Sequence, residues 1–236
     1  MKNEGPASGS HVTASGALGA SLDATVAEAG DRHGDRLVLL CSFQKEESVL
    51  VDAVVRLAPR TRIVTIDTGV LFPETLQTWK AFEDHFGARI DVEDASRAER
   101  SWTGPADCCG AAKVDALERA LIGADGWITG IRREQSPTRA DAQLVEHDEA
   151  RGIWKYNPLA DWTERDLWNA IHERDLPYHP LHDSGFASIG CACCTQPGSG
   201  RDGRWAGTDK VECGIHVVET RGEGPASGAL EGAREA

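Results

Sequence analysis

The sequence predicts an α/β domain with a mostly parallel sheet flanked by helices, on three observations. Short apolar runs suited to buried strands alternate with segments of helical spacing. The most loop-like polar segments, 42–48, 67–75 and 131–139, each follow a predicted strand. The length of 236 residues and a hydrophobic content of 40% suit one large domain with a sizeable core.

Taken in order, RLVLLCS (36–42) is a short apolar run and reads as a buried strand, followed by a helix over 46–57. RIVTID (62–67) reads as a second strand. Pro73 suits the first position of a helix, where its missing N–H costs little. Leu76, Trp79, Phe82 and Phe86 then recur at helical spacing, and Gly87 is a natural stop. A third strand is expected over 88–92, a helix over 114–121 and a further strand over 126–131. Thr163 is placed to cap a helix running to about Arg174, with Leu167, Trp168 and Ile171 on one face. Ligands of such sheets bind beyond the carboxyl ends of the strands, so the three polar loops are expected to converge on one site. After about residue 178 the pattern breaks into a segment rich in Gly, Cys, His and Arg, which reads as irregular chain ordered by a metal or ligand.

Charge and composition exclude several classes. The formal net charge is −13, from 25 Lys and Arg against 38 Asp and Glu, which argues against a nucleic-acid-coating role. No apolar run approaches the roughly 20 residues of a membrane span. The first twenty residues carry no apolar core of a secretory signal, so a cytoplasmic protein is expected. Seven cysteines, an odd and clustered set, suggest metal binding or thiol chemistry more than structural disulfides.

Four constellations could carry chemistry. Cys108-Cys109 is an adjacent pair whose mutual disulfide would be strained, and Cys191 with Cys194 forms a C-x2-C that presents two sulfurs on one turn. Four thiolates suit a [4Fe–4S] cluster or an all-thiolate zinc site, and spacing alone leaves iron and zinc open. Cys213 lies near the C-terminal tail with Lys210 and His216 close in sequence, and it reads either as a reactive thiolate or as an unused cysteine. Arginines flank two turns: Arg132, Arg133 and Arg139 after the 126–131 strand, and Arg201 and Arg204 later. Such guanidinium forks suit a dianionic group, while any single one of them reads more readily as a solvated charge. Finally, Ser42 to Ser48 could cradle an anion at a helix N-terminus, although it lacks the Gly-rich pattern of a Walker A loop. Asp67-Thr68-Gly69 is a similar candidate or a plain turn, and Cys41, inside an apolar run, reads as core.

Together these segments resemble the assimilatory adenylylsulfate (APS) reductases of the phosphoadenylylsulfate reductase superfamily. The matching strings are SFQKEESVL, IDTG..FPET, CCG..K, TGIRREQSP.R, WKYNPL, LPY..LH..G..SIGC..CT.P, GRW and ECGIH, in family order from Ser42 to His216. The resemblance implies a PP-loop (adenine nucleotide α-hydrolase-like) fold. In that fold 16–178 is the nucleotide-binding domain, 179–217 completes the cluster and carries catalysis, and 1–15 and 218–236 are flexible tails. It implies a [4Fe–4S] cluster on Cys108, Cys109, Cys191 and Cys194, and Cys213 as the catalytic cysteine. It implies substrate contacts from Ser42, Phe43, Gln44, Thr68, Gly69, Lys113, Gly130, Arg139, Arg201 and Arg204. The implied reaction is attack of the Cys213 thiolate on the sulfur of APS, departure of AMP, and release of sulfite from the S-sulfocysteine by thioredoxin or a similar dithiol. Rival readings are a phosphoadenylylsulfate (PAPS) or dual-substrate reductase, and a non-enzymatic zinc or iron–sulfur module. A homo-oligomer is left open. Departures from the family pattern fall at the first loop, at Cys193 inside the C-x2-C, and at Gln196 where an arginine is common.

Overall fold

The computed structural model describes residues 14–96, 110–210, 212, 213 and 215. The two tails, Cys108, Cys109 and His216 therefore lie outside the described residues. Helices α1 (Ala14–His33), α2 (Lys45–Leu57), α3 (Pro73–Phe86), α4 (Ala111–Ala120) and α5 (Glu164–Glu173) accompany six strands. The strands are β1 (Leu37–Leu40), β2 (Arg62–Asp67), β3 (Ile90–Asp94), β4 (Gly126–Ile128), β5 (Val145–Asp148) and β6 (Ile153–Tyr156), in sheet order β3-β2-β1-β4-β6-β5. All neighbours pair in parallel except β5, which closes one edge as an antiparallel hairpin with β6. No helix among the described residues is long and apolar enough to cross a membrane.

Alternation along β1 divides the core. Leu37 and Leu39 face a cluster with Leu22 and Val26 of α1, Leu50 and Val54 of α2, Phe82 of α3 and Leu167 of α5. Val38 faces the opposite cluster, with Ala116 and Leu117 of α4 and with Cys191, Cys194, Trp205 and Cys213 of the C-terminal segment. The chain steps outward through β2 and β3, then returns through α4 on the other face to place β4 against β1. That reversal opens a crevice between the carboxyl ends of β1 and β4, where open α/β sheets take ligands.

Most expected elements are present with shifted ends. The third strand runs Ile90–Asp94 rather than 88–92, because its ladder with β2 pairs Ile63 with Ile90 and Asp67 with Asp94. The helix expected over 114–121 starts at Ala111, where Gly110 accepts from the Lys113 N–H. The strand expected over 126–131 leaves the sheet after Ile128, as the chain turns toward the crevice. Thr163 caps α5 as expected, its hydroxyl accepting from the Asp166 N–H at 3.2 Å. Two elements carry no clear sequence signal. Helix α1 is diluted by Ala and Gly although Leu22, Val26 and Ala29 are fully buried, and β5 (VEHD) is a polar edge strand.

Candidate active site

The loop after β1 turns at Phe43, whose φ of 61° is left-handed for a residue with a side chain. Its ring is anchored in the core, stacked on Trp79 at 5.5 Å and edge-on to Phe82 at 5.6 Å, and this anchorage holds the turn. Gln44 is the N-cap residue of α2, and the first helical turn that follows (Lys45, Glu46, Glu47 and Ser48) is buried although polar. Each charge there has partners. Lys45 donates to the Ala187 carbonyl at 2.6 Å and pairs with Glu164 at 3.3 Å. Glu46 accepts from Arg132 Nε and Gln135 Nε2, both at 3.0 Å. Burial works against its ionisation, but Lys45 and Arg132 outweigh it and hold the carboxyl down to about 2. Glu47 accepts from Ser42 Oγ at 2.9 Å and from the Gln44 N–H at 3.0 Å. Burial, reinforced by the Glu46 charge, pushes it up to about 8.

The loop after β4 meets this turn. A Cβ added at Gly130 would lie 2.6 Å from Glu47 Oε1 and 2.9 Å from Glu46 Cβ, so only glycine lets the two loops touch. Gln135 joins them, donating to the Gly130 carbonyl at 3.1 Å and accepting from Arg139 Nη1. Arg132 and Arg133, cationic candidates in the sequence, are structural here, paired with Glu46 and Asp161.

The C-terminal segment covers the crevice with only two short 3-10 turns of its own, Pro180–Ser184 and Ala192–Cys194. The Ile189 N–H donates to Gln44 Oε1 at 2.8 Å, and the Ala192 N–H to the Val70 carbonyl at 2.9 Å. Arg204 lies along the Gly190 backbone, in space that a Cβ there would fill, and donates to the Ile189 carbonyl at 3.2 Å. Arg139 grips Glu212 with two N–H bonds of 2.8 Å, and Arg201 adds a third at 2.7 Å. Burial, with Arg139 beside it, lowers Arg201 to about 10. Burial resists ionisation of Glu212, but the Arg139 fork and the Arg201 charge hold its carboxyl below the usual range. The Cys213 N–H donates to the same carboxylate at 2.8 Å, which seats Cys213 in the cavity.

Of the residues expected at the site, Ser42, Phe43, Gln44, Lys113, Gly130, Arg139, Arg201, Arg204 and Cys213 line one cavity together with Cys191. Cys213, expected near the C-terminal tail, is buried, 6% exposed. Thr68 and Gly69 are not in that lining: Thr68 Oγ1 lies 3.1 Å from Cys191 Sγ, and the Gly69 N–H donates to Asp67 at 2.7 Å to close a turn. Cys191 and Cys194 are buried within one apolar cluster with Trp205. Among the described residues no three His, Cys, Asp or Glu side chains gather as a metal site. Beside Cys191 and Cys194, Thr195 Oγ1 and Trp205 Nε1 are buried without a partner among the described residues, and such donors suit soft thiolate-bound sulfur. The residues present therefore fit a thiolate-held metal group.

Glu212 and Gln135 escaped the sequence reading. The available signal was the acid directly before Cys213, which a cation-lined cavity needs as counter-charge.

A parallel sheet with a reversal crevice, a helix-N-terminal loop after β1 and cations at the strand ends defines a PP-loop-type α/β protein. Residues 36–197 match the model of the phosphoadenosine phosphosulfate reductase domain. A phosphoadenosine 5'-phosphosulfate reductase of Gloeobacter violaceus is 43% identical over 216 residues, covering 83% of this chain and 88% of that one. An adenosine 5'-phosphosulfate reductase of Geobacillus kaustophilus is 40% identical over 201 residues, covering 79% and 86%. The crystal structure of the phosphoadenylyl-sulfate reductase of Candida auris superposes with a TM-score of 0.63 at 23% identity, over 80% of this chain and 98% of that one. The chain belongs to the phosphoadenosine phosphosulfate reductase domain family.

Proposed function

We propose that this chain reduces adenosine 5'-phosphosulfate to sulfite and AMP through an S-sulfonate on Cys213. The observation that carries the reading is one cavity lined by Cys213 together with Lys113, Arg139, Arg201 and Arg204. A thiolate and fixed cations are what sulfonate transfer needs, because negative charge builds on the bridging oxygen and on the departing phosphate. Cys213 Sγ attacks the sulfate sulfur, an S–S bond forms, and the bond from sulfur to the bridging oxygen breaks. AMP leaves with that electron pair. A dithiol protein such as thioredoxin then attacks Cys213 Sγ, supplies two electrons, is oxidised to a disulfide, and sulfite departs. Such a reductant fits a cytoplasmic setting.

The nucleotide is held by the loops after β1 and β4, with Gly130 allowing the close approach and Gln44 fastening the 188–190 strip over it. Cys108, Cys109, Cys191 and Cys194 would hold a [4Fe–4S] cluster, which when bound fixes the C-terminal segment and adds its charge to the field at the cavity. The buried thiols and neighbouring orphan donors support that assignment over an apolar core role.

The 43% identical relative named for the 3'-phosphorylated nucleotide favours a second reading, in which that nucleotide is the substrate. Sulfite release from each nucleotide, with a protein dithiol as reductant, separates the two. APS is expected to turn over faster, with no release by Cys213→Ser. A strong preference for PAPS would overturn the first reading.

A further inference from the structure

The cavity arginines are held in two different ways. Arg139 spends its fork on the Glu212 carboxylate, and Arg201 donates to the same group. Arg204 is held by uncharged groups. Its Nη1 donates to Ser188 Oγ at 3.3 Å and to the Ile189 carbonyl at 3.2 Å, and its Cζ lies 4.6 Å from the centre of the Trp205 ring. The guanidinium fills the place of a side chain on Gly190, where a Cβ would lie 2.5 Å from Cζ and 2.9 Å from Nε. Arg204 Nε is buried without a partner among the described residues. One edge of the guanidinium is thus spent on the 188–190 strip, and the charge is not neutralised there.

The first loop pins that strip from its other side. Lys45 donates to the Ala187 carbonyl at 2.6 Å, and the Ile189 N–H donates to Gln44 Oε1 at 2.8 Å. Ser188 Oγ donates to the same Gln44 oxygen at 3.3 Å. The Ser188 hydroxyl therefore sits mid-relay, accepting from Arg204 and donating to Gln44, and it is buried. We propose that Ser188, backed by Gln44 and the Lys45-anchored strip, is the positioning residue that presents Arg204 to an oxyanion in the cavity. The ligand class is a sulfate or phosphate oxyanion, and its identification with the anionic end of a nucleotide rests on the function proposed above. A cation fixed in advance by neutral partners keeps its full charge for the ligand and loses little freedom on binding.

Equilibrium binding of AMP, adenosine and inorganic sulfate to the cluster-loaded full chain, Ser188→Ala, Arg204→Met and the double variant tests the relay. Ser188→Ala should weaken AMP and sulfate roughly tenfold while Arg204 is present, the worth of one hydrogen bond to a charged group. In the Arg204→Met background it should cost nothing further. Adenosine, which has no anion to place, should bind all four proteins alike. If Ser188→Ala does not fold, Gly190→Ala carries the same cycle, because its methyl group displaces the guanidinium without touching the hydroxyl. Equal losses in both backgrounds, a matching loss of adenosine, wild-type binding by Ser188→Ala, or a wild-type chain that binds neither AMP nor sulfate would each overturn the relay. A wild-type chain that releases no sulfite from APS or PAPS would count against the nucleotide reading instead, and the sulfate comparison would still decide the role of Ser188.

Discussion

Glu46 and Glu47 are adjacent buried carboxyls with opposite fates, because Glu46 faces Lys45 and Arg132 while Glu47 faces only hydrogen-bond donors and its neighbour's charge. Glu47, raised to about 8, is protonated in the folded protein at neutral pH. In the unfolded chain it ionises near its ordinary value of 4.5, so unfolding releases a proton over the interval between. The stability it contributes is complete below the unfolded value and is lost as pH rises toward 8. Glu47→Gln should therefore flatten the decline in melting temperature across that interval. At its upper end the variant should melt several degrees above wild type, since 1 kcal/mol is worth roughly 2–4 °C in a domain of this size. A parallel decline in both proteins would contradict the assignment. Sequence made the cysteines and arginines visible one by one, because their chemistry stands out against a bland reading. It could not show that Glu46, Glu47 and Glu212 are buried counter-charges, because in an acidic chain each reads as surface.

At the level of strands and loops, alternation and Pro73 were enough to place β1, β2, α2, α3 and α5 to within a residue or two. The expectation that the three polar loops after strands converge is met, since Ser42, Leu71 and Arg139 line one cavity. Helix α1 and the edge strand β5 escaped because small residues blur helical spacing and an edge strand needs apolar residues on one face only. The loops after β1 and β4 meet where Gly130 packs against the start of α2. Gly130→Ala should cost about 1–3 kcal/mol by overpacking and weaken AMP binding at least in proportion. Calorimetric melting and AMP titration on the same preparation check this. Wild-type affinity and stability in the variant would mean that the two loops have room to part.

In the whole molecule, the sheet keeps two different cores. One is aliphatic and aromatic and holds the helices, and the other mixes α4 with Trp205 and the thiols of Cys191, Cys194 and Cys213. The net charge of the chain is −13, while the cavity gathers Lys113, Arg139, Arg201 and Arg204. The proposed function divides the cysteines between a metal-holding set and one nucleophile. Anaerobically purified Cys108→Ser or Cys194→Ser should lose the brown cluster colour and sulfite production together. Cys213→Ser should keep the colour and lose production, and a bleached Cys213→Ser would refute the division.

The most direct measurement is intact-protein and peptide mass spectrometry after mixing the cluster-loaded chain with APS in the absence of any dithiol. One SO3 group should be found on the peptide containing Cys213, released as sulfite when reduced thioredoxin is added, with no adduct in Cys213→Ser. Sulfite formed without that adduct, or an adduct on another cysteine, would contradict the assignment of Cys213 as the nucleophile.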